Sequence, residues 1–132
     1  MQPLPPDDVQ ILEIVVTTEF EAVHCWPNAP EGNILKHPHR HKFFVRVKFA
    51  VTHTDRQLEF LDMKEVVEGH IANRLNQIEA IGRGGEALHW SCEDFCNDIA
   101  AHLQSQDYPV TFVSVFEDNE NGAELTLGLK SV

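Results

Sequence analysis

From His39 to His53 the chain alternates closely enough to set its own geometry. The odd positions are His39, His41, Phe43, Val45, Val47, Phe49 and Val51, and the even ones include Arg40, Lys42, Arg46 and Lys48. A two-residue period with one apolar and one basic face predicts a long β-strand, half buried against a core, with Phe44 and Ala50 as exceptions. Two imidazoles, His39 and His41, fall on the apolar face.

The rest of the chain supplies partners for that strand. Residues 9–26 read as an earlier strand region: Val9, Ile11, Ile14, Val15 and Val16 are β-prone, and Phe20, Ala22 and His24 alternate with Glu19 and Glu21. Pro27, Pro30, Gly32 and Pro38 make 27–38 a loop. A helix is predicted from an Asp62 cap, with Val66, Val67, Ile71, Leu75 and Ile78 at helical spacing and Gly82, Gly84 and Gly85 at its end. Ser91 caps a second helix, striped by Phe95, Cys96, Ile99, Ala100 and Leu103. Strands at Val110–Phe116 and Glu124–Leu129 flank the turn-rich segment 118–122. Strands and helices in separate blocks predict an α+β fold of order ββααββ: a four-stranded antiparallel sheet with two helices on one face.

Composition narrows the function. A chain of 132 residues fits one domain spanning 1–132, with residues 1–8 as a flexible N-terminus. Ten Lys+Arg against 21 Asp+Glu give a net charge of −11, which argues against nucleic acid as a partner. No apolar run reaches the ~18 residues of a membrane span, so no membrane partner is expected. The first eight residues carry no secretory signal pattern. The three cysteines, Cys25, Cys92 and Cys96, read as reduced thiols, and the expected location is cytoplasmic. Cys92 and Cys96, four apart on the second helix, read as buried structural thiols.

Eight histidines are the unusual count. His39 and His41 point the same way with Cα atoms ~7 Å apart, close enough to share a metal at ~2.0–2.1 Å from each nitrogen. His24 lies on the neighbouring strand. Three neutral imidazoles would fill three zinc positions and leave a fourth open, as catalytic zinc sites do. Spacing alone leaves this balanced against three unrelated surface histidines. His37, after a loop and before Pro38, reads as a non-ligand. Glu117 shares its strand face with Val113 and Val115, where an ionised carboxylate needs a partner; a ligand role is weighed against a solvated strand end.

Phe20-Glu-Ala-Val-His24, Pro30-Glu-Gly32, His39-Arg-His41-Lys-Phe43, Asp62 and Glu117 together resemble the 6-pyruvoyltetrahydropterin synthase family, over roughly residues 10–130. The match resembles most its bacterial 6-carboxytetrahydropterin synthase branch, which implies a role like that in queuosine biosynthesis. The resemblance implies the tunnelling fold, assembled into ring-like homo-oligomers as a dimer of trimers. It implies zinc held by His24, His39 and His41. It also implies a pterin or purine-like ligand whose N–C–N edge is anchored by Glu117, since one carboxylate accepts two parallel donors. The family's Pro-Thr-x-Glu helix start falls on Trp90-Ser91-Cys92-Glu93, which leaves Ser91 for capping or ligand contact.

The chain departs from that pattern in three places. The family's catalytic cysteine falls on Leu35, which cannot accept a proton. Cys25 adjoins His24, but alternation along a strand would turn it away from the metal. The family's Leu-Asp-His relay falls near Ile78-Glu79-Ala80, so Glu79 is a stand-in for the aspartate and the histidine is missing. Glu31, His70 and His89 complete the candidate acid–base groups, each weighed against an ordinary loop or surface role. Arg40 replaces the glycine between the zinc histidines. With Lys36, His37 and Lys42 it forms either a positive field for an anionic ligand or a solvated face paired with acids. Three functions remain open: a zinc-dependent carbon–oxygen lyase on a pterin, a non-catalytic relative that keeps zinc and the heterocycle pocket, or a different zinc reaction.

Overall fold

The alternating segment is a strand inside the sheet, paired with a neighbour on each side. The computed structural model describes residues 2, 11–26, 28–37, 39–81 and 90–128. Strand β1 runs Leu12–His24, β2 His39–Val51, helix α1 Phe60–Ile81, α2 Cys92–Ser105, β3 Val110–Glu117 and β4 Asn121–Thr126. A 3-10 turn, Ile34–Lys36, lies in the loop before β2. The sheet order is β1-β2-β3-β4, with every neighbouring pair antiparallel. The predicted α+β architecture is the one observed.

The odd face of β2 is the core. Phe43, Val45, Val47, Phe49 and Val51 are buried, and they pack with Val16, Val113 and Val115 against Met63, Val67 and Ile71 of α1 and Phe95, Ile99 and Leu103 of α2. Both helices therefore cover one face of the sheet. Their own sequences explain this: the apolar positions recur every three or four residues and form one stripe per helix. The Ser91 side chain accepts from the Asp94 backbone N–H at 3.1 Å, and the Asp94 carboxylate accepts from the Ser91 N–H at 2.9 Å. That reciprocal pair is a capping box, which fixes where α2 begins.

Several boundaries differ from the sequence expectation, two of them with a visible local cause. Helix α1 starts at Phe60, so Asp62 lies in its first turn and is not the cap. The Glu59 carboxylate takes the capping role, accepting from the Asp62 backbone N–H at 3.0 Å. The glycines expected to end α1 lie outside the described residues, as does the N-terminal segment expected to be flexible, apart from Gln2. Strand β4 begins at Asn121, three residues earlier than predicted. The cause is Gly122: a Cβ there would lie 2.2 Å from the Val115 carbonyl oxygen and 2.6 Å from the Phe116 Cα. The glycine reads as turn punctuation, yet it lets β4 press directly on β3.

The core ends in an aromatic cluster beneath the two histidines. Phe20 stacks on Phe43 with centroids 5.0 Å apart, and Phe95 packs on both at 5.1 and 5.3 Å. Trp90 closes over Phe95 at 5.0 Å. Beyond Phe43 the same strand face continues into His41 at 6.3 Å and then His39. The rigid floor is thus apolar and the two residues standing on its rim are imidazoles.

Candidate metal and ligand site

Register brings the site together. Phe43 of β2 pairs with Glu117 of β3, which sets that carboxylate next to His41 on the helix-covered face. The Glu117 Oε2 lies 3.7 Å from the His41 Nε2. On the other side of β2, the Cα of His24 is registered opposite that of His39. The His39 and His41 rings stand edge to face with centroids 4.7 Å apart.

The hydrogen bonds of these two rings select their tautomers. The Nδ1–H of His39 donates to the His37 carbonyl at 2.8 Å. The Nδ1–H of His41 donates to the Asp118 carboxylate at 2.6 Å. With Nδ1 carrying the proton, the neutral ring has its lone pair on Nε2 in both cases. A histidine whose other nitrogen is held by a carbonyl or carboxylate is the usual arrangement around a bound metal. The donor chemistry therefore fits zinc. Among the described residues no group of three His, Cys, Asp or Glu side chains forms a metal cluster.

His39, Glu117 and Ser91 line one cavity of about 470 Å³, together with Cys25, Leu35 and Cys92. Trp26 and Trp90 supply its aromatic walls. That volume falls in the ~300–1,000 Å³ range of small-molecule sites. A second cavity of about 480 Å³, at the opposite end of β1 and β2, contains no residue of the predicted site. Size does not separate the two; the grouping of imidazole, carboxylate and hydroxyl does.

Cys92 is more than packing. It donates a hydrogen bond to Glu117, and burial first, then the negative charge of Glu117, pushes its thiol up to about 12. Cys96 donates to the carbonyls of Ala123 at 3.4 Å and Val113 at 3.6 Å, and burial lifts it to about 11. Both are buried protonated thiols, as the helix spacing predicts.

Cys25 is the correction. Alternation turned it away from the histidines, but β1 ends at His24 and the alternation rule ends with it. The Trp26 backbone N–H donates to the Leu35 carbonyl at 2.7 Å, which bends this segment towards Leu35. Cys25 and Leu35 consequently line the same cavity.

The candidate acid–base groups scatter. Exposed Glu31 forms an ion pair with Lys36 and does not line the cavity. His70 lies between the helices, where its Nε2 meets the Asp98 carboxylate at 2.8 Å and its ring stacks on His102 at 4.0 Å. The backbone of Glu79 belongs to α1, and His89 lies outside the described residues. The basic cluster also resolves. Lys42 pairs with Glu19 at 3.4 Å and Arg40 with Glu21 at 3.5 Å, and with the Lys36–Glu31 pair this is a solvated, acid-paired surface. Neither these cations nor His37 line the cavity.

Asp118 is the site residue that sequence reasoning missed. Its signal was present in the Asp-Asn-Glu-Asn-Gly turn immediately after Glu117, but the residue it contacts lies 77 positions away.

The 6-pyruvoyl tetrahydropterin synthase family model matches residues 13–127. The chain belongs to that family, and its four-stranded antiparallel sheet with two helices has the family's fold. Comparison with curated proteins gives no match. Among the described residues no helix is long and apolar enough to cross a membrane.

Proposed function

We propose that the protein binds zinc through His24, His39 and His41 and holds a pterin or related purine-like heterocycle in the adjoining cavity, as a zinc-dependent carbon–oxygen lyase of the pterin synthase type. The observation that carries this reading is the convergence of His39, Glu117 and Ser91 on one cavity, with His41 beside Glu117. The Glu117 carboxylate accepts two parallel N–H donors from the heterocycle's N–C–N edge. The Cys92 thiol donates to the same carboxylate and steadies it. Ser91 offers its hydroxyl from the helix start, while Trp26 and Trp90 exclude water from the ring's faces. Zinc, when bound, polarises a side-chain carbonyl or hydroxyl of the ligand. The belonging to the pterin synthase family and the Nε2 lone pairs of His39 and His41 support this assignment. Three free thiols fit a reducing, cytoplasmic setting. The exposed edges of β1 and β4 suit assembly into a homo-oligomer, and light scattering should return a multiple of 15.0 kDa.

Leu35 favours a second reading. It lines the cavity at the position where the family resemblance expects a catalytic cysteine, and it has no proton to exchange. A binding or regulatory protein that retains zinc and the pocket would have this composition. Two measurements separate the readings. Zinc-loaded protein that turns over dihydroneopterin triphosphate at ordinary enzyme rates removes the second. Failure to bind any pterin or guanine at millimolar concentration removes the ligand role of Glu117 and the lyase with it. Glu117→Gln should weaken ligand binding, read by calorimetry, with zinc content unchanged. His39→Ala should lose the metal; tight stoichiometric zinc in that variant would overturn the histidine assignment.

A further inference from the structure

Asp118 stands at the tip of the β3–β4 connection in a conformation few residues accept. Its φ is 51° and that of Asn119 is 59°, and the Glu120 backbone N–H donates to the Glu117 carbonyl at 2.9 Å. Two successive positive φ values closed by this bond are the pattern of a type I′ turn, which Asp, Asn and Gly tolerate best. The backbone N–H of Asp118 donates to the Lys42 carbonyl at 2.7 Å, and its Oδ1 accepts from the Lys42 N–H at 3.2 Å. The first bond anchors the turn to β2, and the second holds the carboxylate there. The remaining oxygen, Oδ2, is left facing the His41 Nδ1 at 2.6 Å.

We propose that Asp118 is a positioning residue for zinc: it fixes the tautomer and ring orientation of His41 and strengthens its Nε2 as a donor. The inference rests on the zinc reading above. A carboxylate that accepts from the far nitrogen of a metal-binding imidazole orients the ring and raises its basicity, and its loss typically costs ~10–100-fold in metal affinity. Half of the Asp118 side chain is exposed, so the electrostatic share is screened by solvent. The orientational share is not, because the backbone bonds to Lys42 hold the carboxylate in place. Strand β3 ends in the ring anchor, Glu117, and the turn after it opens with the residue that aims the metal ligand, so one hairpin serves both partners of the site.

The turn's own chemistry supplies clean variants. Asp118→Asn keeps a residue suited to positive φ and removes the charge. Asp118→Gly keeps the turn and removes the acceptor. Zinc affinity measured by competition with a chromophoric chelator should fall about 10–100-fold in Asp118→Gly, with Asp118→Asn between it and wild type. Cobalt-substituted protein should show a shifted visible band in both variants, a readout that general loss of stability would not produce. Near-UV circular dichroism should match wild type. If wild type binds zinc stoichiometrically and both variants bind it equally tightly with unchanged cobalt spectra, the positioning role is wrong. If wild type binds no zinc, the zinc reading itself is overturned, and the inference falls with it.

Discussion

Asp98 carries the densest polar contact between the helices. Arg74 reaches it with Nε at 3.1 Å and an amino group at 2.9 Å, and His70 with Nε2 at 2.8 Å. Burial pushes this carboxyl up, but the hydrogen bonds from His70 and Arg74 prevail and hold it below the usual carboxylate range. A depressed folded-state pKa contributes stability that is present above the unfolded value and lost as pH falls through the folded one. Asp98→Asn should therefore lose about 2 kcal/mol at neutral pH, a typical value for charged hydrogen bonds. In urea titrations its deficit should shrink on acidification below about 3.9. His102 acts in the same direction at higher pH. Burial, then the neighbouring His70, lowers its pKa, with Arg74 adding to the effect and Asp98 opposing it. The unfolded chain takes that proton first, so stability falls as pH drops through about 6.5. His102→Gln should flatten the melting temperature between pH 7.5 and 5.5; an unchanged slope would exclude this stacked pair as its source. At this scale the sequence is informative where periodicity holds. His39 and His41 follow from alternation, and Cys92 and Cys96 from helical spacing. Cys25 was misread because alternation stops one residue before it. The partners of His70 and Asp118 were hidden because they lie on other elements.

Both helices begin where a side chain accepts a first-turn N–H. Ser91→Ala removes the acceptor for the Asp94 N–H and should cost about 1 kcal/mol in thermal or chemical unfolding. Because Ser91 also lines the cavity, ligand affinity should fall with it, whereas an ordinary cap would leave binding untouched. Gly122→Ala is the harsher change. Its Cβ would meet the Val115 carbonyl and the Phe116 Cα, both main-chain groups that cannot swing aside. We expect a loss of about 1–3 kcal/mol, as for overpacking, and weaker ligand binding, because the displaced strand carries Glu117. Retained wild-type melting and affinity would show that β3 and β4 can separate without consequence. Element types were legible because the chain's apolar period changes from two to about 3.6 between blocks. Their ends were less so. The cap of α1 moved from Asp62 to Glu59 because either acid can accept a first-turn N–H, and only the fold decides which one reaches it.

At the level of the whole molecule, the ββααββ order was enough to give the layer arrangement, since two striped helices have one apolar sheet face to cover. The meeting of His41, Glu117 and Asp118 needed the pairing of β2 with β3, which no local pattern encodes. That pairing has a consequence for how the chain acquires its site. Between His41 and Asp118 lie both helices, and the loop they span must close before the carboxylates arrive. His39 and His41 are neighbours in any extended chain, so a partly folded molecule already offers two imidazoles, but not the aspartate that hydrogen-bonds one of them. On the zinc reading proposed above, stopped-flow refolding with cobalt present should show the mature visible spectrum only with the slowest structural phase, which would make the metal a reporter of completed chain closure and not a seed for it.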